Sequence, residues 1–250
     1  MMPSPNLLTI NRVALHLMPV PLLMDNSVSF ARTHGADALA VLHRTHHFVV
    51  ENARTARRML ATLGLNTAIT DLHITEIPRE PQAHDWQQLL SPILAGHELA
   101  LLSEAGCPAV ADPGALLVRA AYAAGIEVIA HVGPSSLLLA LMASGLNGQS
   151  FAFVGYVPQE STARKIRLIE LETRSKLESQ TQIMIETPYR NIALVDAVLQ
   201  TCKSNTLLGI ALDLTSPTAY NHTRTVGQWR KHVPDLAKRQ MVLTLLGSAT

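Results

Sequence analysis

The chain alternates short runs of β-branched and other apolar residues with longer stretches in which apolar positions recur every three or four residues. That alternation is the pattern of β-α units and a largely parallel sheet. In the first half it predicts strands at Val13–Met18, Phe48–Val50, Leu72–Ile74, Leu99–Leu102 and Val128–Val132, with helices at Ala53–Leu63, Trp86–Leu94 and Leu116–Ala124. In the second half it predicts strands at Phe151–Val154, Gln182–Ile185, Leu208–Leu212 and Met241–Leu245, and a shorter one at Thr223–Val226. Ser161–Glu178 sets Ile166, Ile169 and Leu177 among many charges, which predicts an exposed helix with a narrow apolar stripe, an arm or lid more than a core element. A strand ending in Gly133-Pro134 puts a domain junction near His131–Ser136, giving an N-terminal α/β domain over 1–132 and a C-terminal one over 133–250.

Composition narrows the function. At 250 residues the chain has room for one large or two modest domains. Lys plus Arg number 20 against 19 Asp plus Glu, and the net charge of +1 excludes a protein that coats nucleic acid through global basicity. Any polyanion site is therefore local. With 48% hydrophobic and 16% charged residues the chain is too apolar for disorder, and 4% aromatic residues leave few rings for base stacking. Cys107 and Cys202 form no paired redox or metal spacing, so the cytoplasm is the expected compartment. Val13–Met24 imitates a signal-peptide core, but two prolines interrupt it and no small-residue cleavage site follows; it reads as strand plus loop. Val128–Gln159 carries no Asp, Glu, Lys or Arg, yet Gly133, Pro134, Gly145, Asn147 and Gly148 cut it into pieces too short to span a bilayer, which predicts burial and no membrane association.

In parallel α/β sheets ligands gather at the carboxyl ends of the strands, so the segments just after strands are where chemistry is sought. Four stand out. SEAGCPAVADPG, 103–114, follows an apolar strand with two glycines and carries the carboxylates Glu104 and Asp112. Gly106 lets backbone N–H groups approach a ligand and Gly114 can take positive φ; the structural alternative is a tight turn with Asp112 capping the next helix. HVGPSSLLLALMASG, 131–145, opens an apolar helix with Ser135 and Ser136, where free N–H groups suit a carboxylate or phosphate, or where the serines simply cap. IETPYRN, 185–191, ends a strand at Glu186 and sets Arg190 one turn on, either toward a shared cleft or as a surface ion pair. FVVENARTARR, 48–58, ends a strand at Glu51 and places Arg54, Arg57 and Arg58 on one helical face, which can hold a phosphodiester backbone or be merely solvated.

Other signals carry less. His43 and His47 stand four apart, but without an HExxH pattern or a third ligand they read as ordinary helix residues and predict no metal. Cys107 lacks a neighbouring base and reads as a small side chain in a tight loop. Neither GxGxxG nor a P-loop occurs, so any cofactor site is built differently from those of NAD or ATP enzymes.

In their order and spacing these segments resemble the tetrapyrrole (corrin/porphyrin) methylase superfamily, the class III S-adenosylmethionine methyltransferases, and within it the bacterial small-subunit ribosomal RNA ribose 2′-O-methyltransferase branch with its shorter relatives. SEAGCPAVADPG is similar to that branch's SDAGTPLISDPG loop, HVGPSSLLLALMASGL to its PGPSA helix start, FAFVGYVP to F-x-x-x-G-F-L-P, IETPYR to Y-E-S-x-H-R, and IALDLT to A-R-E-L-T. The likeness runs from about Val13 to Leu246. It implies two α/β domains, the first mainly parallel and the second mixed, with S-adenosylmethionine folded in the cleft between them and a homodimer as the usual assembly. It also implies that Glu104, Ala105, Gly106, Cys107 and Pro108 line the methionine end of the cofactor, with Ser135 and Ser136 close by, and that Glu186, Ala211 and Leu212 lie beside the adenosine end. The implied activity is methylation of RNA at a ribose hydroxyl. Asp112, Glu186 or Glu51 would take the proton, while Arg190 and the Arg54, Arg57, Arg58 face orient phosphates. The chain departs from the branch at Pro19–Asn26, which lacks the glycine of a TPIGN loop, at Glu51-Asn52-Ala53-Arg54 in place of Glu-Asp-Thr-Arg, and in having no carboxyl-terminal extension after the last strand. Those departures leave two alternatives open: methylation of a small tetrapyrrole-like molecule, and cofactor binding without turnover.

Overall fold

The computed structural model describes residues 13–23 and 33–248, so residues 24–26 of the altered first loop lie outside it. The described residues fold as two compact units, the first of residues 13–21 and 33–133 and the second of residues 22–23 and 134–248.

The first unit contains β1 (Ala14–Met18), α1 (Ala36–Arg44), β2 (His47–Val50), α2 (Ala53–Ala61), β3 (His73–Glu76), α3 (Ala83–Leu89), α4 (Ser91–Leu94), β4 (Leu99–Leu102), α5 (Ala115–Ala123) and β5 (Glu127–Ala130). Its five strands run parallel in the order β3-β2-β4-β1-β5. The central strand β4 reads Leu-Ala-Leu-Leu with every residue buried, as a strand covered on both faces requires. On one face Met18, Phe48, Val50 and Leu102 pack against Leu42 of α1 and Met59 and Leu60 of α2. On the other, Leu15, Val49, Leu99 and Leu101 meet Trp86 and Leu89 of α3, Ile93 of α4 and Leu117 of α5.

Some boundaries differ from the sequence pattern for local reasons. The helix expected over 86–94 is two helices. The first starts early because Gln82 N–H donates to Asp85 Oδ2 at 2.7 Å in a capping box. The break falls at Leu90, and Pro92, tolerated in the first turn of the new helix, has no N–H to donate to Gln88 O and so cannot continue the first one. The strand expected at 72–74 begins one residue later, at His73, after a short 3-10 turn over Ile69–Asp71. His43 lies in the last turn of α1, but His47 starts β2, so the two histidines do not share a helix.

The second unit contains α6 (Ser136–Ser144), β6 (Phe151–Gly155), α7 (Ser161–Glu178), β7 (Thr181–Glu186), α8 (Asn191–Thr201), β8 (Leu207–Leu212), β9 (Tyr220–Thr225), α9 (Val226–Trp229) and β10 (Met241–Leu246). Its sheet, ordered β6-β7-β10-β8-β9, is mixed: β6 and β7 pair parallel and the other neighbours antiparallel. Ala140 and Leu141 of α6 cover one face over Ile183, Ala211 and Val242. Leu168 and Leu171 of α7, Leu194, Val195 and Val198 of α8, and Trp229 cover the other.

The helix α7 is neither arm nor lid. It packs on α8, β7 and β10, and it buries Leu168, Leu171, Glu172 and Ser175, while the expected stripe of Ile166, Ile169 and Leu177 faces outward. Hydropathy points to the wrong face because two of the four buried positions are polar. Glu172 Oε1 accepts from Lys203 N–H at 2.8 Å and from the Thr206 hydroxyl, and Ser175 Oγ donates to Gln180 O at 2.7 Å. The strand expected at 223–226 lies earlier, over Tyr220–Thr225: as an edge strand paired only with β8 it keeps polar residues, and Val226 opens α9 instead. Among the described residues no helix is long and apolar enough to cross a membrane.

Candidate active site

Because the strands of the first sheet are parallel, the loops after β1, β2, β4 and β5 leave from the same edge. Three of them are joined. Val20, after β1, bridges to Gly106, after β4, through Val20 N–H to Gly106 O at 2.8 Å and Gly106 N–H to Val20 O at 3.1 Å. Pro19 packs against Gly133, after β5, so closely that a Cβ at Gly133 would strike Pro19 Cβ and come within 2.8 Å of its Cγ. His34 Nε2 bonds Pro19 O at 2.7 Å and closes the group. The bends at Gly106 and Gly133 thus flank one segment, Pro19–Val20, within the first unit.

The 103–114 loop is held in an unusual backbone. Ser103 Oγ donates to Gly106 O at 3.1 Å. Gly106 and Gly114 have φ of 73° and 130°, and Ala109 and Ala111 both have φ of 65°. Left-handed alanines carry strain on the order of 1–3 kcal/mol each, which surrounding structure must hold; nothing in the sequence marks those two positions. Gly114 is itself the N-terminal residue before α5, with no side-chain cap, so the capping role that the sequence left open for Asp112 is not filled by it.

Three carboxylates gather at this edge: Glu51 after β2, and Glu104 and Asp112 in the loop. Glu51 is pushed up to about 7, first by burial and then by the charges of Asp112 and Glu104, with a Glu104 backbone hydrogen bond partly offsetting the shift. Its Oε1 is buried without a hydrogen-bond partner among the described residues. Burial and Glu104 raise Asp112 to about 6. Two carboxyl groups that titrate near neutrality can each take or release a proton under ordinary conditions. Glu104 and Ala105 are exposed, Gly106 and Pro108 buried, and Cys107 half-buried. Arg54, Arg57 and Arg58 all lie on the exposed face of α2, whose start is capped by Asn52 Oδ1 accepting from Thr55 N–H at 3.0 Å.

In the second unit Ser135 caps α6, its Oγ accepting from Leu138 N–H at 3.4 Å, with Ser136 as the first helical residue. Glu186, buried at the end of β7, accepts at Oε1 from Thr187 N–H at 2.7 Å and from Arg190 Nε and Nη2 at 2.9 and 2.5 Å. Glu186 and Arg190 therefore hold each other. Tyr156, Val157, Pro158, Gln159, Thr187 and Arg190 line one open pocket there; Tyr156 is marked in the sequence only as part of FAFVGYVP, without a role, and Gln159 carries no signal. Ala211 and Leu212 sit in β8 with their side chains in the core of the unit. No group of histidine, cysteine or acidic residues suited to a metal ion occurs among the described residues.

No family model matches the chain. It is 34% identical over 180 residues to Ribosomal RNA small subunit methyltransferase I of Xylella fastidiosa, covering 70% of this chain and 59% of that protein. It is 36% identical over 153 residues to the protein of the same name from Vibrio cholerae, covering 61% and 50%. With that of Escherichia coli O157:H7 it shares 30% identity over 217 residues, covering 84% and 71%. The aligned stretches thus span between half and seven-tenths of the length of these curated relatives. A crystal structure of the methyltransferase CobJ has the same fold, with a TM-score of 0.61 at 16% identity over 96% of this chain and 95% of that one.

Proposed function

The chain belongs to the ribosomal RNA small subunit methyltransferase I family, and on that premise we propose that it methylates ribosomal RNA at a ribose 2′-hydroxyl with S-adenosylmethionine as methyl donor. The observation that carries the reading is the edge of the first sheet, where the strained 103–114 loop is tied to Pro19–Val20 and brings Glu51, Glu104 and Asp112 together.

The donor set fits the cofactor. Negative potential from three carboxylates complements a sulfonium and an α-ammonium group, and a loop with four left-handed residues turns its backbone sharply enough to present N–H groups to the methionine carboxylate. When bound, S-adenosylmethionine supplies an electrophilic methyl group. Glu104, Ala105, Gly106, Cys107 and Pro108 are the proposed contacts for its methionine end, with Ser135, Ser136, Glu186, Ala211 and Leu212 as further cofactor contacts.

The acceptor hydroxyl must lose its proton as the new C–O bond forms. Asp112, and Glu51 beside it, are the proposed acceptors: both titrate near neutrality, and Glu51 Oε1 has an open acceptor position. Glu186 serves catalysis by fixing Arg190, whose guanidinium orients a phosphate along with Arg54, Arg57 and Arg58. The acting form is a cytoplasmic homodimer. Calorimetry with S-adenosylhomocysteine and transfer of labelled methyl groups to small ribosomal subunits, set against small-metabolite extracts, test the reading. Saturable cofactor binding and RNA labelling are expected; absence of cofactor binding, or label confined to small metabolites, overturns it.

A further inference from the structure

We infer that the β6-α7 and β7-α8 loops of the second unit form a recognition site for unpaired nucleotides of an RNA substrate, with Tyr156 and Tyr189 as stacking surfaces and Arg190 as the phosphate contact. The inference rests on the RNA reading above.

The chain has only four tyrosines, and two of them stand on these neighbouring loops. Tyr156 is 55% exposed and Tyr189 85% exposed. A phenol ring buries readily and contributes most when covered, so two largely bare rings, Tyr156 on the pocket wall and Tyr189 on the loop that supplies Thr187 and Arg190 to it, call for a flat partner. Tyr156 lines that pocket with Val157, Pro158 and Gln159 from one loop and Thr187 and Arg190 from the other. Tyr189 stands on the turn that Arg190 N–H closes onto Thr187 O at 2.9 Å.

Arg190 is what makes the partner anionic. Its Nε and Nη2 are fixed on Glu186, and Nε also reaches Thr187 Oγ1 at 3.1 Å. The guanidinium is anchored on one edge, which leaves Nη1 as a pre-oriented donor for a phosphate oxygen. Glu186 and Arg190 form a pair of zero net charge, so the guanidinium offers a phosphate directed hydrogen bonding more than net positive charge, and Glu160 on the neighbouring loop is occupied by Thr162 and Ala163 N–H groups at 2.8 and 2.6 Å. Gln159 adds an amide on the pocket wall that can read a base edge. Bare aromatic rings next to an oriented arginine are the means by which proteins hold unstacked bases. A paired helix would keep its bases stacked on each other and present only backbone, so the site selects single-stranded or looped RNA.

The test measures binding, in the absence of cofactor, of a fluorescein-labelled oligouridylate of about 12 nucleotides, a length within the footprint of single-strand sites. A duplex of the same length and free uroporphyrin are the competitors. Wild-type protein is expected to prefer the single strand. Tyr156→Ala and Tyr189→Ala should each weaken binding by roughly fivefold or more, the lower end of what one stacked base contributes, while Tyr→Phe at either position retains it. Both rings are at the surface, so thermal melting of the variants should match the wild type. Preference for the duplex or for uroporphyrin, no loss on Tyr→Ala, or equal loss on Tyr→Phe overturns the inference. Cofactor calorimetry on the same variants separates the two readings: loss of RNA with unchanged S-adenosylhomocysteine binding supports this site, whereas wild type that holds oligouridylate but no cofactor fails the methyl-transfer reading alone.

Discussion

The two edges of the first sheet gather like residues from neighbouring strands, but with opposite chemistry. At the amino edge His47 and His73 start adjacent strands in register and stack with ring centroids 4.6 Å apart, and His97, just before β4, lies 4.8 Å from His47. At the carboxyl edge stand Glu51, Glu104 and Asp112. Burial and like charge push both groups toward their neutral forms: His47 is lowered by burial and by His73, His97 and His46, whereas Glu51 and Asp112 are raised. Shifted titration alone therefore does not mark a site. What separates the edges is backbone: the left-handed alanines, the Val20–Gly106 bridge and the Gly133 contact are all at the carboxyl edge. Strain held in place by neighbouring structure belongs where a ligand must be met at fixed geometry.

If that distinction is sound, neutralising the carboxyl edge should abolish chemistry and neutralising the amino edge should not. The double change Glu51→Gln and Asp112→Asn is expected to lower the single-turnover methyl-transfer rate by roughly 10²- to 10⁴-fold, the usual contribution of a positioned base, with cofactor affinity measured separately by calorimetry. In the wild type the rate should fall as pH drops through about 7 and about 6, where Glu51 and Asp112 take up protons. His47→Gln should leave the rate near the wild-type value. Equal losses at the two edges would erase the comparison.

A smaller effect distinguishes the edges by their glycines. A methyl group at Gly133 meets Pro19, so Gly133→Ala is expected to lower stability by about 1–3 kcal/mol through overpacking and to weaken cofactor binding. Gly96, at the amino edge, has φ of 88° and open space around it. There the cost of alanine is backbone strain alone, roughly 1–2 kcal/mol, with cofactor affinity unchanged. Chemical denaturation and calorimetry on both variants decide the point.

Much of this was legible in the chain because parallel α/β units write their strands as unbroken apolar runs; Leu99–Leu102 is read without error for that reason. The mixed second sheet is not written in that pattern, which predicts a largely parallel sheet; it follows what the family resemblance implies. The bounds of α7 are also plain, but its buried face is not, since Glu172 and Ser175 are buried on hydrogen bonds that only the fold supplies. The 103–114 loop announces itself through its two glycines, whereas Ala109 and Ala111 give no hint of positive φ. The convergence of Glu51 with Asp112 joins residues 61 apart in sequence, a distance that no local periodicity spans. Tyr156 and Tyr189 both fall within segments that the sequence marks, FAFVGYVP and IETPYRN, but their pairing does not show there, since only the parallel pairing of β6 and β7 sets their loops side by side.

The subtlest way to sharpen the comparison is through stability against pH, where the two edges pull in opposite directions. An acid whose folded value lies above its unfolded one binds more protons when folded, so Glu51, raised from 4.5 to about 7, costs stability progressively as pH rises across that interval. A histidine lowered from 6.5 binds more protons when unfolded, so His47 costs stability as pH falls below 6.5. Glu51→Gln should therefore gain stability relative to wild type at pH 8 and little at pH 4.5, by on the order of 1 kcal/mol once partial exposure of the carboxyl is allowed for. His47→Gln should do the reverse, matching wild type above pH 7 and losing less on acidification. Denaturant midpoints of the three proteins from pH 4.5 to 8 give the slopes directly. Parallel curves would mean that neither cluster is coupled to folding, and that the titrations at the carboxyl edge, on which proton transfer by Glu51 and Asp112 depends, are not displaced from ordinary carboxylate behaviour.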